Sequence, residues 1–410
     1  MQIEIFNIYN ISIALICLCS AGYLISALVA VEIFNLKRKK SNTSKDFHPP
    51  VTILKPIYGL DPELAENLRS FCRQDYPKYQ IIFGLQDKND PAIPVIEKII
   101  TEFKDIDVNF IVDPRRYGTN HKVSNLINMA PTAKHDYLLI ADSDMRVPNN
   151  YLINVMSPFT DATVGAVTCL YSGSARGKLA SSLNAMFINE WFFPSVLISR
   201  IIQPIKYCLG ATMIVRRNLL NEIGGFRSLS NYLADDYMLG KLINDLGYNI
   251  HLSDFVVENI VEEASIKDLL THELRWARTL RRVEPLAYAF TFLTDTLVIS
   301  SLAAFTLYTA SHSLIWSMLP VLLALIARSL LHIRTKQITG SISAGSICLI
   351  PLRDLLSFCV RVISYTGNSV QWRKNEFSVD QAGLIHTKQK CQLEPDNAEE
   401  IPDLATSQDY

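Results

Sequence analysis

Apolar residues follow two different patterns along this chain. Long, almost uncharged runs occupy residues 11–34, 286–308 and 314–333, and a helix of about 20 such residues is long enough to cross a bilayer. Between residues 50 and 282, short β-rich runs alternate with helical patterns. We therefore predict a folded α/β domain, residues 50–283, between an N-terminal membrane anchor, residues 1–36, and a C-terminal membrane region, residues 284–366.

The first apolar run predicts an anchor that is retained. A cleaved signal peptide has basic residues before its apolar run, whereas Glu4 precedes this run and four basic residues, 37–40, follow it. Because positive charge flanks the cytoplasmic ends of membrane helices, we expect the α/β domain in the cytoplasm.

The C-terminal region predicts an out-and-back pair of spans, followed by a run at 347–365 that fits either a third crossing or a re-entrant, interfacial helix, because it contains Arg353, Asp354 and Arg361. Asp295, inside the first of the paired spans, is expected either to be functional or to bridge helices. The polar residues 380–410 predict a disordered tail. We expect a multi-pass protein of the bacterial inner membrane.

The α/β region predicts a mostly parallel sheet covered by helices on both faces. The predicted strands are residues 51–54, 79–85, 108–112, 137–141 and 164–170, and the predicted helices are 62–73, 93–103 and 123–129. Ligands bind beyond the carboxyl ends of the strands in such sheets. Asp87, Asp142 and Asp144 follow predicted strands and are expected at that edge.

Two acidic motifs are candidates for chemistry. Asp142-Ser143-Asp144 could bind Mg²⁺ or Mn²⁺ and neutralise a diphosphate, or either aspartate could cap a turn. Asp235-Asp236-Tyr237 precedes a helical pattern, so its carboxylates could begin a helix. Alternatively, one of them is a general base for an acceptor hydroxyl.

A basic motif, His272-Glu273-Leu274-Arg275-Trp276, lies on a predicted helix on which Arg275, Arg278 and Arg282 share one face. Guanidinium groups there could bind a diphosphate, and Trp276 could contact a sugar or the acceptor. The same face could instead bind anionic lipid headgroups.

Composition excludes some classes of partner and site. A formal net charge of −1 gives no case for nucleic acid, and the eight cysteines show no zinc-binding spacing. A reducing compartment without a structural metal fits best.

Together with these motifs, four further stretches give the chain a specific resemblance to the ceramide glucosyltransferase family, and within it to the branch associated with bacterial hopanoid biosynthesis. They are LRSFCRQDYP at 68–77, HKVSNL at 121–126, FINEWF at 187–192 and LADDYMLG at 233–240. The resemblance implies a GT-A fold and transfer of a sugar from a UDP-sugar to a lipid, either N-acetylglucosamine to a hopanoid or glucose to ceramide.

The resemblance also implies roles for individual residues. Donor binding is assigned to Asp87, near the uridine, and to Asp142, Lys122 and Arg275. The catalytic group comprises the base Asp236 with Asp235, His272, Arg275 and Trp276, and His272 stands where the family has Gln or Arg. The family's animal members resemble DSG where this chain has Asp142-Ser143-Asp144, so a metal held by Asp142 and Asp144 is expected here.

The apolar run at 179–194 is expected to be either a core helix or an interfacial helix that holds the lipid acceptor, with Glu190 facing the cleft. The acceptor pocket is then predicted to contain Glu190, Trp191 and Trp276. Two other functions stay open at this point, a processive polysaccharide synthase and a catalytically silent membrane protein that binds nucleotide sugar.

Overall fold

The computed structural model describes residues 2–40, 47–340, 345–367, 369–372, 375–380 and 383–387. An eight-stranded sheet forms the centre of the α/β region, with the spatial order β3-β2-β1-β4-β7-β6-β8-β5. Its strands are β1 (Val51–Pro56), β2 (Tyr79–Leu85), β3 (Asp107–Val112), β4 (Tyr137–Ala141), β5 (Met145–Arg146), β6 (Val164–Ala175), β7 (Thr212–Arg216) and β8 (Asn249–Val261).

The sheet is mixed. Strands β3, β2, β1 and β4 run parallel, with Ile53 opposite Ile81 on one side and Leu139 on the other. Strand β7 lies antiparallel between β4 and β6, β6 and β8 are parallel, and β5 is antiparallel to β8. All five predicted strands are confirmed, and β5, β7 and β8 are additional to them.

Some helices cover both faces of the sheet and others form the membrane region. They are α1 (Gln2–Lys40), α2 (Leu64–Cys72), α3 (Ile93–Glu102), α4 (His121–Met129), α5 (Tyr151–Met156), α6 (Leu179–Phe187), α7 (Phe193–Ile202), α8 (Arg217–Glu222), α9 (Asp235–Asp245), α10 (Ile266–Val283), α11 (Pro285–Phe290), α12 (Thr296–Ser311), α13 (Leu314–Thr339) and α14 (Ile350–Ser364). Because neighbouring residues of a strand point to opposite faces, Ile53 packs with α2 and α3 while Leu54 packs with α4 and α9.

Within the described residues, three helices are long and apolar enough to cross a membrane, namely Tyr9–Lys39, Leu179–Ile202 and Leu314–Thr339, and a bent pair after residue 284 gives a fourth if it is one span. The basic ends of α1 and α13 lie together, because Glu32 pairs with Arg334 at 2.5 Å and Arg38 donates to the carbonyl oxygen of Ile338 at 2.9 Å. The segment 179–202 is half buried, and its turn at Ile188–Phe192, a π-helix, joins α6 to α7.

The predicted span at 286–308 is bent. The chain there forms α11, a 3-10 turn at Thr291–Thr294 and α12, with a bend of 58° between the two helical parts. Asp295 lies at the bend, outside helical geometry, and its carboxylate pairs with Arg361 of α14 at 2.8 Å. Asp295 therefore bridges helices, which is one of the two roles expected for it.

Helix α14 is held by three buried ion pairs. Arg353 binds Glu273 of α10 through two hydrogen bonds of 2.5 and 2.7 Å, Asp354 binds Arg328 of α13 at 2.7 Å, and Arg361 binds Asp295. Arg328 also lies 3.2 Å from Glu190. Since buried charges are tolerated only when paired, these contacts fix α14 against three other elements.

A small antiparallel sheet follows α14, with strands β9 (Ser369–Trp372), β10 (Asn375–Val379) and β11 (Ile385–Thr387). Val370 and Phe377 form a cluster with Leu233, and the amide of Leu233 donates to the carbonyl oxygen of Gly383. Most of the predicted tail, from residue 388 onward, lies outside the described residues.

We expect Glu273→Ala to lower the free energy of unfolding by about 3–5 kcal/mol, because it leaves the buried Arg353 without its carboxylate partner. Unfolding of the purified protein in detergent, followed by tryptophan fluorescence, measures this change. Glu66→Ala is the matched control, since the ion pair of Glu66 with Arg73 is exposed and is worth about 0–1 kcal/mol. Equal effects of the two substitutions would contradict the structural role of the buried pair.

Candidate active site

A cavity of about 490 Å³ opens at the carboxyl ends of the parallel strands, where ligands bind in open α/β sheets. It runs from a polar part at the sheet to an apolar part beside α10, α11 and α14. Nine of the residues predicted from sequence line it, namely Lys122, Asp142, Asp144, Trp191, Asp235, Asp236, His272, Arg275 and Trp276.

The loop with Asp142 and Asp144 connects the central strand β4 to the edge strand β5. The amide of Asp142 donates to the carbonyl oxygen of Ala211 at 3.2 Å, and Met145 pairs with Asn259 of β8. Ser143 hydrogen-bonds the carboxylate of Asp61. Since backbone and side-chain contacts hold the loop at both ends, its two carboxylates have fixed positions at the cleft.

The Asp144 carboxyl group is buried and only half satisfied. Its Oδ2 accepts a hydrogen bond from Asn259 at 2.9 Å, whereas its buried Oδ1 accepts none within the described part of the chain. Burial, together with repulsion from Asp142 and Asp61, raises the pKa of Asp144 to about 7. An unsatisfied carboxylate oxygen beside a second carboxylate is the donor set that Mg²⁺ or Mn²⁺ prefers.

Among the described residues, the polar part of the cavity contains more carboxyl groups than cationic groups. Interacting carboxyl groups belong to Asp61, Asp142, Asp144, Asp235 and Asp236, and the neighbouring cations are Lys55, Lys122 and Arg275. Within the described ranges, no group of three or more His, Cys, Asp or Glu residues is placed to hold a metal ion. A bound cation would therefore need ligands from the substrate as well as from Asp142 and Asp144.

Lys122 joins the two acidic motifs. Its Nζ lies 2.7 Å from Asp142 and 3.9 Å from Asp235. Burial by itself would lower the pKa of Lys122, but the two carboxylates raise it above its usual range. Asn120, the N-cap of α4, also donates to Asp235 at 3.4 Å, so the beginnings of α4 and α9 are held together.

Asp235 and Asp236 form the first turn of α9, where the helix dipole favours negative charge. Burial and the adjacent Asp235 nevertheless raise the pKa of Asp236 to about 6. Gly210 lies against this carboxylate, because a Cβ at position 210 would be 2.9 Å from Oδ2 of Asp236. The Asp236 side chain therefore titrates close to neutral pH and occupies a closely fitted position.

Helix α10 contributes the next side of the cleft. Arg275 is half-buried in the cleft wall, and desolvation lowers its pKa while Asp142 and Asp236 oppose that change. Nδ1 of His272 forms a hydrogen bond of 2.8 Å with Glu263, and the imidazole ring makes an edge contact with Trp276 at 4.8 Å. His272 thus supports the position of Trp276.

An aromatic cluster forms part of the cavity wall. Phe187 stacks on Trp191 at 4.9 Å between ring centres, and Trp276 lies 5.9 Å from Phe187 and 6.4 Å from Phe192. The Trp191 indole donates to Thr294 at 2.8 Å. Two elements distant in sequence, the π-turn and α10, therefore build one aromatic wall.

Two predicted site residues lie elsewhere. Asp87 is outside the cavity lining, and its carboxylate accepts from the amide of Asn89 at 2.9 Å, capping a turn after β2. Glu190 does not face the cleft. Its buried carboxylate binds Arg328 and His332 of α13, because the π-turn rotates it toward that helix.

The predicted basic face of α10 is also corrected. Arg275 lines the cavity, whereas Arg278 and Arg281 donate to the backbone oxygens of Ser369 and Gly367. Arg278 and Arg282 are absent from the lining. The C-terminal segment that receives these bonds follows α14 in the chain, so helical spacing on α10 alone could not show it.

A family model for glycosyl transferase family 21 matches residues 12–385, which is most of the chain. The chain belongs to this family. It is therefore a glycosyltransferase, and with its candidate spans it is a membrane protein.

Among similar proteins, ceramide glucosyltransferase 3 of Caenorhabditis elegans is 22% identical over 353 residues. The match covers 82% of this chain and 74% of the relative. Ceramide glucosyltransferase of Pyricularia oryzae is 36% identical over 295 residues, covering 58% of each. These relatives support sugar transfer to a lipid.

Among solved structures, a mannosyltransferase from Pyrobaculum calidifontis in complex with GDP-Man and Mn²⁺ superposes with a TM-score of 0.50 at 16% identity. The match covers 86% of this chain and 98% of that one. At this identity the likeness concerns the fold, and it agrees with the predicted GT-A architecture.

Sequence reasoning missed several residues that shape the site. Lys55 at the end of β1 is fully buried, donates to the carbonyl oxygen of Asp142 at 2.8 Å, and has its pKa lowered to about 7 by desolvation. A lysine inside an otherwise apolar strand, VTILKP, was the available signal. No local sequence signal pointed to Asn259, because its position beside Asp144 depends on the pairing of β5 with β8.

We expect Gly210→Ala to lower glycosyl transfer about ten-fold with little change in stability, since the added methyl group displaces the Asp236 carboxylate and small misplacements of a reacting group are costly. Transfer rates and thermal unfolding measured on the same preparation separate these effects. Gly22→Ala is the control, because a Cβ at position 22 has nothing within 4 Å. An unchanged rate for Gly210→Ala would show that this close approach is unimportant.

Proposed function

We propose that this protein transfers a sugar from a UDP-sugar to the hydroxyl group of a membrane lipid, with inversion at the anomeric carbon. Two donor and acceptor pairs are proposed, UDP-N-acetylglucosamine with a hopanoid and UDP-glucose with ceramide. The second pair is supported by the names of the relatives. The observation that carries the proposal is one continuous cavity with carboxylates at the sheet and apolar walls beside the membrane-region helices.

The polar part of the cavity is proposed to bind the nucleotide diphosphate. Lys122 and Arg275 supply positive charge there, and a guanidinium group can bind two phosphate oxygens at once. Asp142 and Asp144 would hold Mg²⁺ or Mn²⁺, supported by the unsatisfied buried oxygen of Asp144. When bound, the cation would neutralise the diphosphate as a leaving group.

Asp236 is proposed as the general base that accepts the proton of the acceptor hydroxyl. Its raised pKa, about 6, makes the carboxylate a better proton acceptor than an ordinary aspartate while keeping it ionised at neutral pH. Asp235 lies 3.4 Å from the Asn120 amide and 3.9 Å from the Lys122 ammonium group, so it is proposed to position Lys122 and not to act as the base. One base suffices, because a diphosphate leaves without protonation by a second carboxyl group.

The α/β region is proposed to lie on the cytoplasmic side of a bacterial inner membrane, where nucleotide sugars are made. Support comes from the adjacent basic ends of α1 and α13, which carry Arg38 and Arg334, since positive residues flank the cytoplasmic ends of membrane helices.

The experiment that tests the proposal offers each UDP-sugar with each lipid to the purified protein in nanodiscs and identifies products by mass spectrometry. We expect one glycolipid, with an anomeric configuration opposite to that of the donor by nuclear magnetic resonance. Asp236→Asn protein is the matched control. A sugar polymer would indicate a processive synthase, and donor binding without any product would indicate a silent binding protein.

We expect Asp236→Asn to lower the transfer rate about 10²–10⁴-fold, because the amide cannot accept a proton, while UDP-sugar affinity persists. For the wild-type protein at saturating Mn²⁺, which keeps Asp144 ionised, ionisation of Asp236 predicts a rate that rises with pH up to about 6 and is level above it. Rate profiles between pH 4.5 and 8 (roughly one decade per unit on the acid limb) and calorimetric titration with UDP-sugar check both points. A larger loss in Asp235→Asn than in Asp236→Asn would assign the base to Asp235.

We expect chelation by EDTA to stop transfer and added Mn²⁺ or Mg²⁺ to restore it, because a hard cation with few protein ligands exchanges readily. Asp144→Ala should raise the Mn²⁺ concentration needed for half-maximal activity, whereas Asp87→Ala, outside the cavity, should not. Full activity of the wild-type protein after dialysis against EDTA would remove the metal from the mechanism.

A further inference from the structure

Helix α14 has two chemically different faces. Its 15 residues extend about 22 Å, which is shorter than a hydrocarbon core of about 30 Å. One face carries the paired residues Arg353, Asp354 and Arg361, all buried. The opposite face exposes the apolar residues Leu352, Leu355, Phe358, Val362 and Ile363. This combination is typical of a helix that lies in the membrane interface.

The inner side of the same helix is a wall of the cavity. Ser357, Val360 and Arg361 line it, together with Leu280, Val283 and Tyr288 of α10 and α11. We call this the α14 section of the cavity. A helix is about 10 Å across, so only the thickness of α14 separates this section from an apolar outer surface.

The polar side chains of the α14 section already have hydrogen-bond or ion-pair partners within the protein. The Tyr288 hydroxyl is hydrogen-bonded to Ser364 at 2.7 Å, Arg353 donates to Ser357 at 3.0 Å, and Arg361 is paired with Asp295 at 2.8 Å. The surface left for a ligand consists largely of the side chains of Leu280, Val283 and Val360. A sugar or a peptide would lose hydrogen bonds to water there, whereas an apolar body would gain from burial.

The α14 section is continuous with the polar part of the cavity. The aromatic cluster of Phe187, Trp191 and Trp276 connects them, because the Trp191 ring lies 6.0 Å from the Arg361 guanidinium group of α14. At the other end of the cluster, Trp276 follows Arg275, whose guanidinium group interacts with Asp236. A molecule with its hydroxyl group at Asp236 therefore extends past the aromatic rings into the α14 section.

From this arrangement, we infer that the α14 section binds the apolar body of the lipid acceptor, at the level of the membrane interface, with Val360 in direct contact with it. The inference rests on the proposed function and adds the place where the part of the acceptor remote from its hydroxyl is recognised. The buried ion pairs of α14 hold this wall in place before the lipid arrives, which reduces the entropic cost of binding.

Val360→Trp tests the inference. The larger side chain fills the section, and each methylene kept out of an apolar pocket costs roughly ten-fold. We expect the KM for the full-length lipid acceptor to rise at least about ten-fold, and the KM values for UDP-sugar and for a short-chain, water-soluble acceptor to change less than about two-fold. Val362→Trp, on the exposed face of the same helix, should behave as wild type in all three measurements.

Equal losses with the short and the full-length acceptor would overturn the inference, because they would indicate general damage to the site, and so would unchanged kinetics of Val360→Trp. If Val360→Trp does not fold, Val360→Ala replaces it. This smaller side chain enlarges the section, so activity is expected to shift toward acceptors with a bulkier apolar body, and an unshifted preference would overturn the inference.

Photo-crosslinking of the wild-type protein gives a readout that is independent of transfer. An acceptor lipid with a diazirine in its apolar body should label Ser357 or Val360, and excess unlabelled acceptor should compete. Labelling confined to Leu355 and Val362 would indicate surrounding bilayer lipid only and would overturn the inference. Competed labelling of Val360 without any transferase activity would instead leave the inference intact and reject the proposed function.

Discussion

The buried ion pair between Glu273 and Arg353 joins the two parts of this molecule. Glu273 belongs to α10, the helix that also places Arg275 and Trp276 in the cleft, and Arg353 belongs to α14 in the membrane region. Removing either partner would leave a buried, unpaired charge. Separation of α10 from α14 therefore has a high free-energy cost. Because Asp354 and Arg361 connect α14 to α13 and to the bend before α12, the position of the cleft wall depends on the packing of the membrane region.

At the other end of the cleft, the main electrostatic effect is repulsion between clustered carboxyl groups. Asp142, Asp144, Asp235 and Asp236 converge there because β4 and α9 both point at the same edge of the sheet. Burial and proximity raise the pKa values of Asp144 and Asp236, and Lys122 offsets part of the repulsion. Such an arrangement costs stability and is typical of a site that binds ligands. The roles proposed for the two motifs rest on this environment: the unsatisfied Asp144 oxygen suits a cation, and the raised pKa of Asp236 suits proton transfer.

Local sequence patterns predicted the parallel half of the sheet well, because β1, β2, β3 and β4 are short apolar runs bounded by polar residues. They failed for β8, which contains polar residues and has a register irregularity near Cys169 of its partner strand. Among the predicted site residues, Asp142 and Asp144 at the end of β4 line the cleft, whereas Asp87 after β2 and Glu190 do not. Its orientation is set by a π-turn, which shifts a residue around the helix axis, and by partners on α13, of which His332 lies 142 positions away. Asn259 and Val360 likewise depend on long-range pairing that has no local signal.

The division of the cavity explains why a single chain must combine a soluble fold with membrane helices. Binding a diphosphate needs charges and fixed backbone at the ends of strands, and such groups would be too costly to place in hydrocarbon. Binding the apolar body of a lipid needs a surface that would be poorly soluble if it were exposed at the sheet. Helix α10 contacts both environments, with Arg275 toward the carboxylates and Leu280 and Val283 toward α14. The reacting hydroxyl is therefore expected where the two environments meet, beside Trp276, and a lipid alcohol is the class of acceptor whose polar and apolar ends match that boundary.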